Sequence, residues 1–254
     1  MAALIRIEDR GAGVRVLTLD RPPANALDDG LLTELEHAVE DAADTDAVRA
    51  IVLRAEGSFF CGGFDLRAPR RSDDEATAMV VRYRDSHRKL LAVPKPTVAA
   101  VQGHAMAGGL VLALACDHRL AVEGNYRIGL NETAIGAAFP PVAMEIVRLR
   151  LSNAAASELI LGAETLASTD LVRLGVVDRL TPIDSFEGDV FALAERLASY
   201  PREVYAHAKS ELISDTTRRL DEVTLERELE IAALWVTDES RAARAAQRTR
   251  LEGA

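Results

Sequence analysis

The sequence predicts an α/β protein whose C-terminal third is helical. Strand-like and helix-like segments alternate through the first two-thirds of the chain, and from Val142 onward the pattern is mostly helical. The chain has 254 residues, 48% of them hydrophobic, which is enough to bury a real core as one large domain or a domain with a helical appendage. No internal repeat or low-complexity linker is visible, so a cleanly separate second domain is not expected. We place a core at residues 1–185 and a helical region packing on it, and on neighbouring subunits, at 186–254.

Val14 to Asp20 alternates and is rich in Val, Leu and Thr, as a strand does, and Arg21-Pro22-Pro23 stops it. Leu27, Leu31, Leu35, Ala38 and Val39 then recur at helical spacing, with Asp28 and Asp29 in the first turn, where the helix dipole favours acids. Val48 to Leu53 is a second strand, apolar enough to be buried on both faces. A turn-rich loop runs from Glu56 to Leu66. Residues 73–91 read as a helix with Met79, Tyr83, His87, Leu90 and Leu91 on one side, ended by Pro94 and Pro96. Thr97 to Val101 is a third strand and Ala107 to Cys116 a short buried helix. His118 to Val122 and Tyr126 to Ile128 are strand-like, and Asn131 begins a loop or a helix. Helices follow at 142–151, 153–161, 168–174, 185–199 and 202–214, then a charged stretch from about 217 to 247. Within that stretch Leu225, Leu229, Leu234, Trp235 and Val236 need a partner surface, in cis or on another subunit.

Net charge is −10, which argues against a nucleic-acid partner, although Arg67, Arg70 and Arg71 could meet the phosphates of a small ligand or simply form a solvated face. Cys61 and Cys116 are too few for a disulfide framework or a zinc site. The first residues lack the apolar run of a signal peptide, and no segment approaches the ~20 apolar residues of a membrane span. A soluble protein of the reducing cytoplasm, without a membrane partner, is expected.

Gln102 to Gly109 has neither the Gly-Lys-Ser/Thr ending of a phosphate loop nor the spacing of a dinucleotide fold. Gly108 and Gly109 either permit a tight strand-to-helix turn or present bare N–H groups to a developing oxyanion. A second glycine-rich loop, Cys61-Gly62-Gly63-Phe64, ends an earlier strand and favours the second reading. Glu132 is either an acid in the first turn of a helix, behind an Asn131 cap, or a base for moving protons. Cys61 reads as a small buried residue and His104 as a packed or solvent-facing one. His37, His87, His118 and His207 show no metal spacing.

Phe60-Cys61-Gly62-Gly63-Phe64-Asp65-Leu66 resembles the F-x-A-G-x-D-L loop of the crotonase (enoyl-CoA hydratase/isomerase) superfamily. VAAVQGHAMAGGLVLALACD, from Val98 to Asp117, resembles its second oxyanion-loop segment. Arg21-Pro22-Pro23-Ala24-Asn25-Ala26-Leu27 is similar to its Arg-Pro and Asn-Ala-Leu opening near the coenzyme A adenine, and Leu174-Gly175-Val176-Val177-Asp178 to its G-L-V-D segment. The resemblance implies a spiral of ββα units with C-terminal helices that build a homotrimer or homohexamer. It implies an acyl-CoA thioester held between the backbone N–H groups of Phe64 and Gly108. Ala24, Ala26, Leu27, Gly62, Gly63, Asp65, Leu66, Met106, Val111, Ile135 and Phe139 would line the substrate. No metal or other cofactor is implied, coenzyme A arriving as part of the substrate.

Hydratases of that family carry two catalytic glutamates. Here the first position is Val111 and only the second, Glu132, is acidic. Adding water needs one group to activate the water and one to deliver the α-proton, whereas a single carboxylate suffices to carry a proton from C2 to C4. Ile128-Gly129-Leu130-Asn131-Glu132-Thr133, and Phe139-Pro140-Pro141 in place of a glycine-rich continuation, also resemble the family's 3-enoyl-CoA to 2-enoyl-CoA isomerases. The expectation is therefore an isomerase of fatty acyl-CoA metabolism. The alternatives are an enoyl-CoA hydratase, another acyl-CoA reaction such as thioester hydrolysis or decarboxylation, and an acyl-CoA-binding protein with little catalysis.

Overall fold

The computed structural model describes residues 3–65 and 73–252. Strand β1 (Ile5–Arg10) pairs antiparallel with β2 (Val14–Leu19) at one edge of a sheet. The sequence reading missed β1. Its residues IRIEDR are exposed or half-buried after Ile5, and the two isoleucines are too short an apolar signature beside four charged residues. Helix α1 (Asp29–Asp44) follows, its Asp28 cap accepting a hydrogen bond from Leu31 N–H at 2.8 Å.

The chain then runs through three strand pairs. β3 (Ala50–Ala55) leads into β4 (Phe59–Cys61) and helix α2 (Asp73–Ala92); β5 (Thr97–Val101) leads into β6 (His104–Met106) and helix α3 (Gly108–Ala115); β7 (His118–Val122) leads into β8 (Ile128–Gly129). Helices α4 (Pro141–Arg150) and α5 (Asn153–Gly162) precede β9 (Thr165–Leu166), and α6 (Ser168–Arg173) precedes β10 (Arg179–Thr181). The first strand of each pair enters a six-stranded sheet ordered β1-β2-β3-β5-β7-β10, and the second enters a four-stranded sheet ordered β4-β6-β8-β9. The repeat is a repeat of backbone path. Its turns share no residue pattern, which is why the sequence shows none.

The larger sheet is covered on both faces. Val16, Val52, Val98 and Leu120 point to one side, where Phe186, Val190, Ala194 and Leu197 of α7 (Ile183–Ala198) meet them. Leu17, Ile51, Leu53, Ala99 and Ala121 point to the other, into the main core with α1 and α3. This two-sided burial accounts for the unbroken apolar run of β3.

The charged stretch expected as one unit from about 217 to 247 is broken in the structure. α8 extends to Asp221 (Arg202–Asp221), and α9 (Leu225–Ala233) and α10 (Asp238–Glu252) follow it. Threonines make the breaks: Thr224 Oγ1 accepts from Arg227 N–H, and Thr237 Oγ1 from Ser240 N–H, each at 3.2 Å. Among the described residues no helix is long and apolar enough to cross a membrane.

A buried ion pair fastens α8 to the core. Lys209 Nζ donates to Asp117 Oδ2 at 2.9 Å and to Lys95 O at 3.2 Å, and Asp117 also accepts from Thr97 N–H and the Tyr205 hydroxyl. Burial pushes the Lys209 ammonium pKa down and Asp117 opposes this. Asp117→Ala would strand that cation, so we expect a loss of about 3–5 kcal/mol in urea-unfolding free energy. An unchanged midpoint would show that the pair does not anchor the helix.

Candidate active site

The segment from Arg21 to Leu27 is laced to the loop that follows β4. Asn25 is buried; its Oδ1 accepts from Arg21 N–H at 2.8 Å, and its Nδ2 donates to the carbonyls of Glu56 and Phe59. Gly62 N–H donates to Ala24 O, Leu27 N–H to Gly63 O, and Asp65 N–H to Leu27 O, at 2.9, 2.8 and 3.0 Å. The Arg21 guanidinium closes the arrangement by bridging Asp65 and Asp28 and donating to Ala26 O. This parallel bridge between Leu27 and Phe64 turns the Phe64 N–H away from the 24–27 segment. Phe64 N–H has no hydrogen-bond partner among the described residues.

Gly63, at φ +82°, lies against the turn between β6 and α3. A Cβ there would stand 3.0 Å from Met106 O and 3.3 Å from Gly108 N, so the loops carrying Phe64 and Gly108 are in contact. Ala107 is held at φ 52° and ψ −130°, a strained conformation for a residue with a side chain, and its N–H donates to Gly129 O at 2.8 Å. The strain lets β6 pass directly into α3, leaving the Gly108 N–H bare at the helix start, where the dipole is positive. Every residue of α3 is buried, Val111 completely. Leu27 Cδ1 would lie 3.2 Å from a Cβ on Gly108, which puts that side chain beside the same peptide.

Glu132 follows β8. It is 5% exposed, and its Oε2 is buried without a hydrogen-bond partner. Burial pushes the carboxyl pKa up to about 8. The residue occupies the cap position of a short 3-10 turn, Thr133–Ile135, but its side chain makes no capping bond. The reading of Glu132 as an acid behind an Asn131 cap is therefore not what the structure gives. Ile135, in the same turn, is 8% exposed, and Phe139 packs half-buried against the core.

Leu66, Arg67, Arg70 and Arg71 lie outside the described residues. His104 is a packed residue: Nδ1 accepts from Arg127 N–H at 2.7 Å and the ring lies against Phe59 and Tyr126. Burial pushes the Cys61 thiol up to about 12, which leaves it unreactive.

Sequence reasoning did not assign Asn25, Tyr83 or Trp235 to the site. The Phe64 ring sits between Tyr83, at 4.7 Å, and the edge of Trp235, at 5.3 Å. Trp235 Nε1 donates to Ala138 O at 2.8 Å, and Arg244 donates to Gly136 O and Trp235 O, so the C-terminal helices reach back to the Glu132 segment. Tyr83 was visible as the one hydroxyl on a helix face of Met79, His87, Leu90 and Leu91, and Trp235 as the chain's single tryptophan.

The sequence profile described as enoyl-CoA hydratase/isomerase matches residues 9–246. A probable enoyl-CoA hydratase of Mycobacterium avium is 34% identical over 79% of this chain and 78% of its own length. The 2,3-dehydroadipyl-CoA hydratase of Escherichia coli is 33% identical over 87% of this chain and 84% of its own. Human mitochondrial delta3-delta2-enoyl-CoA isomerase shares the fold, with a TM-score of 0.93 over 98% of both chains at 23% identity. An Mtb enoyl-CoA isomerase aligns with a TM-score of 0.81 at 28% identity, over 92% of this chain and 99% of its own.

The Glu132 carboxyl has a stability signature. Its pKa is about 8 folded against an ordinary 4.5, so between these values the folded chain keeps a proton that the unfolded chain has lost. Its contribution is whole below pH 4.5 and drains away as pH rises to about 8. Unfolding free energies of Glu132→Gln and the parent, from denaturant titrations, should coincide near pH 4.5 and separate in the variant's favour, by an amount on the order of several kcal/mol, towards about pH 8. Free energies that run parallel with pH would mean that the carboxyl ionises normally.

Proposed function

The chain belongs to the enoyl-CoA hydratase/isomerase family, and within it we propose that this protein moves the double bond of a 3-enoyl-CoA to the 2-position. The observation that carries this reading is the buried carboxyl of Glu132, its Oε2 without a hydrogen-bond partner, together with a fully buried Val111 where a second acid would stand. A lone carboxyl in apolar surroundings suits a proton shuttle and offers nothing further to hold and deprotonate a water molecule.

The thioester oxygen sits between the N–H groups of Phe64 and Gly108. Glu132, as carboxylate, takes a proton from C2, and the electron pair moves onto the thioester oxygen as a dienolate. The same glutamic acid returns the proton at C4, leaving the double bond between C2 and C3 in conjugation with the thioester. With a pKa of about 8, the free site holds the base mainly protonated near neutrality, close enough to the working range to both accept and return a proton. Ala24, Ala26 and Leu27 line the coenzyme A end, and Met106, Ile135 and Phe139 the acyl end. The names of the Mycobacterium avium and Escherichia coli relatives favour a second reading, hydration of a 2-enoyl-CoA, which would have Glu132 and backbone groups alone orient the water.

Leu225, Leu229, Leu234 and Val236 remain partly exposed on the C-terminal helices. We infer that further copies of the chain cover them in a homotrimer or homohexamer. Sedimentation equilibrium should give a mass that is a multiple of three chains, and a monomer at micromolar concentration would refute this.

The purified protein is expected to raise the conjugated-thioester absorbance of a 3-enoyl-CoA and to leave crotonyl-CoA unchanged, with Glu132→Gln lowering turnover by about 10²–10⁴-fold. A rapid fall with crotonyl-CoA would establish hydration. Unchanged turnover in Glu132→Gln would remove the glutamate from the mechanism.

A further inference from the structure

Tyr83 of α2 is a buried polar side chain that the mechanism above leaves unused. It is 1% exposed, and its ring packs on Phe64 at 4.7 Å and on His87 at 4.0 Å. Its hydroxyl lies 3.3 Å from where a Cβ on Gly108 would stand, so it borders the Gly108 peptide while its ring lies on the Phe64 side chain. A buried phenol ordinarily finds an acceptor, yet this one makes no hydrogen bond among the described residues.

His87 does not serve as that acceptor. Its Nδ1 lies 2.8 Å from the Tyr83 carbonyl, an oxygen that can only accept, so Nδ1 carries the hydrogen, and Nε2, the nitrogen left to accept, is buried with no hydrogen-bond partner among the described residues. Burial pushes the ring pKa down to about 4 against the backbone groups of Tyr83 and Gly108, so His87 stays neutral and buttresses the Tyr83 ring. Burial raises the phenol well above its ordinary value, and the Glu132 and Cys61 charges add to this, which keeps Tyr83 a donor.

We propose that the Tyr83 hydroxyl is a third hydrogen-bond donor to the thioester oxygen, beside the N–H groups of Phe64 and Gly108. The proposal rests on the acyl-CoA reading of the site. The hydroxyl is placed by its neighbours before any ligand arrives, and its bond strengthens as charge builds on the oxygen, so it acts on the dienolate more than on the bound substrate.

Tyr83→Phe keeps the ring stack and removes the donor. We expect kcat with a 3-enoyl-CoA to fall by about 10²-fold while KM changes little. Acetoacetyl-CoA supplies a readout that needs no proton shuttle: bound to the parent it gives a near-ultraviolet enolate band, and the variant gives a weaker one at the same pH. A fluorotyrosine at position 83, a stronger donor of the same shape, strengthens the band and carries the test if the phenylalanine variant does not fold. Parent-like kcat and enolate band in a folded Tyr83→Phe, or a band indifferent to fluorination, overturns the role of Tyr83 alone. Absence of both band and turnover in the parent overturns the acyl-CoA reading and this proposal with it.

Discussion

The structure depends on backbone meeting backbone where one turn of the spiral crosses the next. A Cβ at Gly109 would stand 2.2 Å from Cys61 O, one at Gly103 2.1 Å from Ser58 O, and one at Gly129 2.5 Å from Glu164 O. Any side chain at these points would push the turns apart. Because they close, the three parallel strands of the smaller sheet lie side by side with their C-terminal ends on one edge. Each end delivers one group: Phe64 after β4, Gly108 after β6, Glu132 after β8. Parallel strands generally gather their functional loops at that edge, and here each turn contributes a different part.

Two kinds of polar group sit at this edge, and their surroundings treat them oppositely. The N–H groups of Phe64 and Gly108 are left bare because the adjacent backbone bonds are all satisfied elsewhere: Leu27 takes Gly63 O and Asp65 N, and Ala107 takes Gly129 O. Burial raises the proton affinity of the Glu132 carboxyl against a hydrogen bond from its own backbone, and Oε2 has no hydrogen-bond partner among the described residues. Both arrangements cost folding free energy. Unsatisfied donors, a strained Ala107 and a buried acid at one place are the pattern of a site kept ready for a ligand.

The C-terminal helices are part of this arrangement. Trp235 closes on the Phe64 ring and fixes the chain at Ala138, while Arg244 holds Gly136, four residues beyond the glutamate. The tail thus clamps both the loop that carries Phe64 and the segment that carries Glu132. Its remaining exposed leucines face outward, so one element serves the site on one side and offers an apolar surface on the other.

The sequence by itself determined what short-range physics can write. The two-sided apolar strand at 48–53, the acidic start of α1, the small buried helix and the glycine pairs were legible because burial and backbone freedom constrain residue types locally, although Asp28 proved to be the cap of α1 and not part of its first turn. The resemblance of three loops to a known family then singled out Phe64, Gly108 and Glu132. β1 was hidden because its alternation, Ile5-Arg6-Ile7-Glu8, is short and runs into the charged Asp9 and Arg10, and the breaks between α8, α9 and α10 because a threonine cap in a charged run looks like any other polar residue. Only the tertiary structure decided which donors are free, that Glu132 Oε2 lacks a partner, and that Tyr83 and Trp235 flank Phe64. Those facts depend on contacts between residues far apart in the chain, and residue types carry no record of where a distant backbone will pass.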